Sequence, residues 1–196
     1  MTTSPSNVVV NVPNVITAVR LVLAIAVFVL IPLHEYLAAL IVFVLAASTD
    51  WIDGYWARKY NQVTKLGRVF DPFVDKIIIC GTFVFLAAEP RSGIDAWMAV
   101  LIMGRELLVT ALRSFIEQSG GDFSAKMAGK LKMVFQCAAV VASLLALRHF
   151  QEEVVTGVEL PQWLAIALVI SVWLAILSTV YSGLEYIIVA ARALRS

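Results

Sequence analysis

The chain has 196 residues, 61% of them hydrophobic and 15% charged, with a mean hydropathy of +0.88. Soluble domains run about 45–50% apolar and about 25% charged, so this composition excludes an ordinary soluble core and points to one compact membrane domain covering residues 1–196. The net charge of +1 gives no attraction for a polyanion, and no nucleic-acid partner is expected. Cys80 and Cys137 lie in apolar runs, are too few for a disulfide framework, and are expected to be small core residues.

The opening, MTTSPSNVVVNVPN, has no Lys or Arg, so it lacks the basic start of a secretory signal. Residues 1–12 are expected to be mobile or to lie along the membrane surface. A spanning helix needs about 20 mostly apolar residues. Six stretches qualify in chain order: Val15–Leu33, Tyr36–Trp56, Asp71–Ala88, Ala96–Phe115, Ala128–Leu147 and Trp163–Leu194. The expected fold is therefore all-α, an integral membrane bundle of six transmembrane helices.

Basic residues orient the bundle. The second connection carries Arg58, Lys59, Lys65 and Arg68, the fourth carries Lys126 with Lys130 and Lys132 just after it, and the C-terminal end carries Arg192 and Arg195. The first, third and fifth connections are acidic, with Glu35, Glu89, Asp95, Glu152, Glu153 and Glu159 against Arg91 and Arg148. The basic side is expected to face the cytoplasm, which puts both termini there. Trp97 and Trp163, at the opposite ends of their spans, read as interfacial belt residues with no part in chemistry. Lys59, Lys65 and Arg68 read as topology and anionic-lipid residues.

Four aspartates, Asp50, Asp53, Asp71 and Asp75, flank the second connection. Asp50, Asp53, Gly54 and Ala57 follow i, i+3, i+4, i+7 spacing, and Gly67, Asp71 and Asp75 follow steps of four, so each set forms one stripe on a helix. A short connection makes the two helices antiparallel neighbours, whose stripes can converge near the cytoplasmic end. Four carboxylates in a low-dielectric site need compensating charge, which two divalent cations supply. An all-oxygen donor set suits Mg²⁺ or Mn²⁺ over Zn²⁺. Carboxylates around two metals about 4 Å apart are the arrangement of phosphoryl-transfer sites. Any one of these acids alone would read as a solvated helix cap, and Asp71 followed by Pro72 reads as an N-cap with Pro at the first helical position.

From Asp50 to Asp75 the chain reads D-x2-D-G-x2-A-R-x8-G-x3-D-x3-D. This resembles the signature of the CDP-alcohol phosphotransferases at every fixed position. The resemblance implies a six-helix membrane enzyme, a homodimer, that displaces CMP from a CDP-linked donor with an alcohol. It implies metal binding by Asp50, Asp53, Asp71 and Asp75, with Asp75 also the general base. It further implies that Gly54, Ala57, Arg58 and Gly67 meet the CDP donor. The chemistry fits these residue types: a carboxylate accepts the alcohol's proton, and an arginine holds a phosphate by charge-assisted hydrogen bonds. An apolar exterior gives a diacylglycerol donor and other membrane lipids access from the cytoplasmic leaflet.

The acceptor is read from the second half of the chain. GRELLVTALRS places Arg105 and Arg113 eight residues apart, about two turns, and AGKLKMVFQ opens the next helix with Lys130 and Lys132. A basic pocket beside the aspartates suits an acceptor that itself carries phosphate, with Arg105, Arg113 and Lys130 as its ligands. Together with PNVITAVRLVL, these patterns resemble the branch of the family that joins CDP-diacylglycerol to glycerol 3-phosphate. Met133 departs from that branch, where Thr is expected. The rivals on the same machinery are phosphatidylglycerol or inositol phosphate as acceptor. More distant rivals are an intramembrane prenyltransferase, whose aspartate motifs lie farther apart, and a divalent-cation transporter, which needs polar groups across the whole bilayer. Tyr181, Ser182 and Glu185 form a polar stripe on the sixth span that lines either a cavity or a helix interface.

Overall fold

A computed structural model describes the backbone of residues 12–60, 67–118 and 127–193, and the side chains of 15–49, 73–114, 131–155 and 157–191. Among the described residues the chain is all-helical. Six helices follow one another: α1 (Val12–Leu30), α2 (Tyr36–Tyr60), α3 (Gly67–Ala88), α4 (Ala96–Gln118), α5 (Met127–Thr156) and α6 (Gln162–Ala193). Each of the six predicted stretches falls on a helix, although residues 31–33 of the first lie in the turn after α1 and Leu194 of the last lies outside the described residues. Residues 1–11 and the central parts of the second and fourth connections, including Lys65 and Lys126, lie outside the described residues.

The helix ends follow local chemistry. After α1, the His34 N–H donates to the Ile31 carbonyl at 2.9 Å and the Glu35 N–H to the Leu30 carbonyl at 3.0 Å. With His34 at φ 59° this is a Schellman stop, filled by a non-glycine residue. His34 Nδ1 lies 2.7 Å from the Tyr36 hydroxyl. Gly157, at φ 70°, closes α5 by donating to the Glu153 carbonyl at 2.8 Å. The Asp95 carbonyl accepts the first bonds of α4, from Met98 at 3.0 Å and Ala99 at 3.3 Å. One expectation is corrected here. Because α3 starts at Gly67, Asp71 is not its N-cap and Pro72 is not its first residue. Proline's fixed φ is helical, but as the sixth residue of α3 Pro72 removes the hydrogen bond to the Arg68 carbonyl and crowds it, a local cost in the second turn.

The chain forms two compact units, Met1–Phe85 and Leu86–Ser196. In the first, α1 packs on α2 around Ala24, Val27, Ile31, Ala39, Phe43 and Ala46, all essentially buried. Gly81 of α3 leaves room for the Phe28 ring, which a Cβ would strike, and Phe28 stacks on Phe85 with centroids 5.2 Å apart. In the second unit α6 packs on both α4 and α5. The Ser143 hydroxyl of α5 donates to the Ser92 carbonyl at 2.7 Å and so pins the turn before α4. Gly93, at φ 74°, lies in that turn against Leu168, where a Cβ would come within 2.9 Å.

Burial is inverted relative to a soluble protein. Val15, Val19, Val22, Ile25 and Val29 run exposed down one side of α1, and Ile166, Val169, Ile170, Trp173, Leu177 and Leu184 down α6. Thr17, Arg20, Thr82, Gln136, Ser143, Thr179 and Ser182 are buried instead. Large exposed apolar surface of this kind marks contact with lipid or another apolar phase. Among the described residues two helical stretches, Leu131–Val155 and Gln162–Ala191, are long and apolar enough to cross a membrane. The buried Thr82 hydroxyl is satisfied on its own helix, donating to the Ile78 carbonyl at 2.6 Å. Cys80 is buried and Cys137 half-buried, and both are free thiols. Trp97 and Trp163 are exposed, and the Trp97 ring N–H donates to Asp95 at 3.2 Å.

Candidate active site

The helices that carry the aspartates are continuous where the motif needs them. α2 runs unbroken through Asp50, Asp53, Gly54, Ala57 and Arg58, and α3 through Gly67, Asp71 and Asp75. Steps of three and four on an unbroken helix keep each set on one face. Asp50 and Asp53 therefore share a face of α2, and Asp71 and Asp75 share a face of α3. The side chains of Asp50, Asp53, Gly54, Ala57, Arg58, Gly67 and Asp71 lie outside the described residues.

Asp75 is described, and its environment was not foreseen from sequence. Its side chain is 27% exposed, and its Oδ1 accepts a hydrogen bond from Nη1 of Arg20, a residue of α1 that is 2% exposed. The Nε of Arg20 points to the Thr49 hydroxyl of α2 at 3.4 Å, and that hydroxyl donates to the Ala46 carbonyl at 2.7 Å. Arginine is rarely so buried unless it is paired, because desolvating the charge alone costs several kcal/mol. A lone Arg inside the apolar run of α1 was the available signal, since a charge at membrane depth needs a partner. Periodicity could not name that partner, 55 residues away.

The second unit buries a different cluster. Glu106 of α4 accepts from Lys132 Nζ of α5 and from Arg105 Nη1 at 3.1 Å. Arg105 Nη2 also donates to the Ser182 hydroxyl of α6, and its guanidinium carbon lies 5.4 Å from the centroid of the Tyr186 ring. All three ionic side chains are at most 10% exposed. The Nε of Arg105 is buried without a hydrogen-bond partner among the described residues. Next along the bundle, Gln136 donates to the Thr179 hydroxyl at 3.1 Å. Two cations share the Glu106 carboxylate, with the half-buried Glu185 of α6 one turn on from Ser182, and the orphaned guanidinium N–H favours an anionic ligand.

Arg113, paired with Arg105 by sequence, is exposed. Eight residues on a helix leave the two about 80° apart around the axis, so they do not share one narrow face. The Lys130 side chain lies outside the described residues. Lys132, to which sequence assigned no role, is the lysine that reaches Glu106. The polar stripe of α6 divides: Ser182 is fully buried at Arg105, whereas Tyr181 is 67% exposed.

A family model of CDP-alcohol phosphatidyltransferases matches residues 10–181, which include the aspartate helices, Arg20, Arg105, Glu106 and Lys132. The chain belongs to this family. Curated relatives cover it almost from end to end. It is similar to the CDP-diacylglycerol–glycerol-3-phosphate 3-phosphatidyltransferase of Bacillus subtilis, 34% identical over 192 residues, or 90% of this chain and 93% of the relative. The protein of that name from Rickettsia typhi is 33% identical over 180 residues, 90% of this chain and 94% of the relative. Its counterpart in Haemophilus influenzae is 28% identical over 190 residues, 94% and 95%.

The aspartate carboxylates fit divalent metal ions. They are oxygen donors alone, delivered in pairs from two continuous helices, with no His or Cys among them. Gly54 and Ala57 in the α2 stripe and Gly67 in the α3 stripe are the smallest residue types.

Proposed function

We propose that the protein transfers the phosphatidyl group of CDP-diacylglycerol to glycerol 3-phosphate, giving phosphatidylglycerophosphate and CMP. The end-to-end similarity to relatives named for this reaction carries the reading. The buried basic cluster around Arg105 supports it, since the acceptor is a phosphate monoester.

The acceptor hydroxyl attacks the phosphorus of the phosphatidyl group, a new O–P bond forms, and the bond to CMP breaks. Asp75 accepts the hydroxyl's proton as general base. Two Mg²⁺ or Mn²⁺ ions, held by Asp50, Asp53, Asp71 and Asp75, would neutralise the donor pyrophosphate and the charge developing on CMP. Arg58 holds a donor phosphate by charge-assisted hydrogen bonds, while Gly54, Ala57 and Gly67 leave room for the CDP moiety. Arg105 offers its buried Nε–H to the acceptor phosphate. Arg113 and Lys130 add positive charge for the same anion, and Lys132 joins them through Glu106.

In this reading all six helices span the cell membrane, both termini and the active site face the cytoplasm, and the enzyme is a homodimer. The basic second and fourth connections and the apolar exterior of α1 and α6 support the topology. Purified protein given CDP-diacylglycerol and, separately, glycerol 3-phosphate, phosphatidylglycerol or inositol phosphate should release CMP with glycerol 3-phosphate. Release with one of the other two alone would move the protein to another acceptor class.

A further inference from the structure

We propose that Arg20 is a positioning residue for the reaction, one that aims the Asp75 carboxylate and braces it against the neighbouring aspartate helix. The inference rests on the reading of Asp75 as the base. Its observation is a three-helix link within the first unit. Arg20 on α1 donates from Nη1 to Asp75 on α3 and from Nε towards Thr49 on α2. Thr49 immediately precedes Asp50, so one guanidinium ties the helix of the first aspartate pair to the helix of the second.

The geometry suits orientation more than simple charge balance. A guanidinium is planar, and its donors leave in fixed directions, so fixing one donor sets the aim of another. The Thr49 hydroxyl spends its single proton on the Ala46 carbonyl, which turns its lone pairs toward Arg20. Around Asp75, Val74, Ile78 and Ile79 of α3 are buried, so the helix that carries the carboxylate is itself held by packing. A base on a packed helix, gripped by a buried fork, is set before the acceptor arrives, and proton transfer depends on such placement. Lysine at position 20 would keep the charge and lose the fork. Valine at position 49 would keep the fork and lose its brace.

The test uses purified full-length protein and the variants Arg20→Lys, Arg20→Met, Thr49→Val and Asp75→Asn. Turnover, KM for both substrates, CDP-diacylglycerol affinity by calorimetry and thermal stability are measured on each. Arg20→Lys should lower kcat by about 10- to 100-fold, the range that a small misplacement of a reacting group produces. Its donor affinity, KM values and Tm should match the wild type. Arg20→Met should lose more turnover and Thr49→Val less. Should Arg20→Met fail to fold, the lysine and valine variants carry the test.

The inference is overturned if Arg20→Lys turns over normally. It is also overturned if donor affinity falls in step with turnover, which places Arg20 in donor binding and not in aiming the base. A lower Tm with unchanged kcat per folded molecule likewise overturns it and leaves a structural role. An Asp75→Asn enzyme with normal turnover removes the base assignment itself, whereas an inactive Asp75→Asn beside a normal Arg20→Lys removes this inference alone.

Discussion

The two units hold their buried charge differently. In the first, an arginine that is 2% exposed is held by a carboxylate, and that carboxylate belongs to a helix pair carrying four aspartates. In the second, one glutamate is shared by two buried cations. Neither arrangement is explained by stability, because a buried ion pair seldom outperforms well-packed apolar residues of similar size. The difference is intelligible if each unit is made for a ligand charge. In the proposed function an acid-rich face would recruit metal ions and through them a pyrophosphate, while a base-rich pocket would recruit a phosphate directly. In the function proposed above, donor chemistry falls to the first unit and acceptor chemistry to the second.

The acid side is the easier to break. Asp50→Asn or Asp71→Asn keeps the size of the side chain and removes one negative charge from the proposed metal set. Activity should fall on the order of 10³-fold, the scale of losing a principal electrostatic contact in a transition state. Mn²⁺ binding, followed by calorimetry or by the electron-spin signal of the free ion, should fall with it. Retained Mn²⁺ affinity in both variants would separate the aspartates from metal binding and remove the contrast between the units.

How much of this contrast was legible in the sequence depends on the range of the interaction. The aspartate stripes were readable because i, i+3 and i, i+4 relations are internal to a helix, and α2 and α3 are continuous through them. The six helices were readable because their apolar runs are long. Arg20 with Asp75, and Lys132 with Glu106, were not, since a period fixes which face a residue occupies and not which helix meets that face. The same limit explains Ser182, which sequence placed in a polar stripe with Tyr181 although only Ser182 turns inward. The start of α3 was misread for a local reason: Asp-Pro is a strong helix-opening signal, and here the helix had already begun at Gly67.

The basic side should respond in affinity more than in rate. Lys132→Met removes one of the two cations on Glu106 and leaves that carboxylate shared with Arg105 alone. With one buried cation gone, the apparent KM for glycerol 3-phosphate should rise about 10- to 100-fold, the worth of a hydrogen bond to a charged group. CDP-diacylglycerol affinity should stay as in the wild type. A change confined to donor affinity would reverse the assignment of the second unit.

The smallest effect sharpens the comparison inside a single helix. Arg105 and Arg113 both belong to α4, yet Arg105 is buried against Glu106 and Ser182 whereas Arg113 is exposed. A charge facing a high-dielectric surface, screened by salt, contributes about 0.2–1 kcal/mol to a pairwise interaction. Arg113→Ala should therefore raise the apparent KM for glycerol 3-phosphate only about two- to fivefold, and added salt should erase most of the difference. The buried Lys132 contribution should survive the same salt. If Arg113→Ala proved as damaging as Lys132→Met and equally indifferent to salt, the acceptor phosphate would be held at the exposed arginine. Burial would then be the wrong guide to where the anion binds.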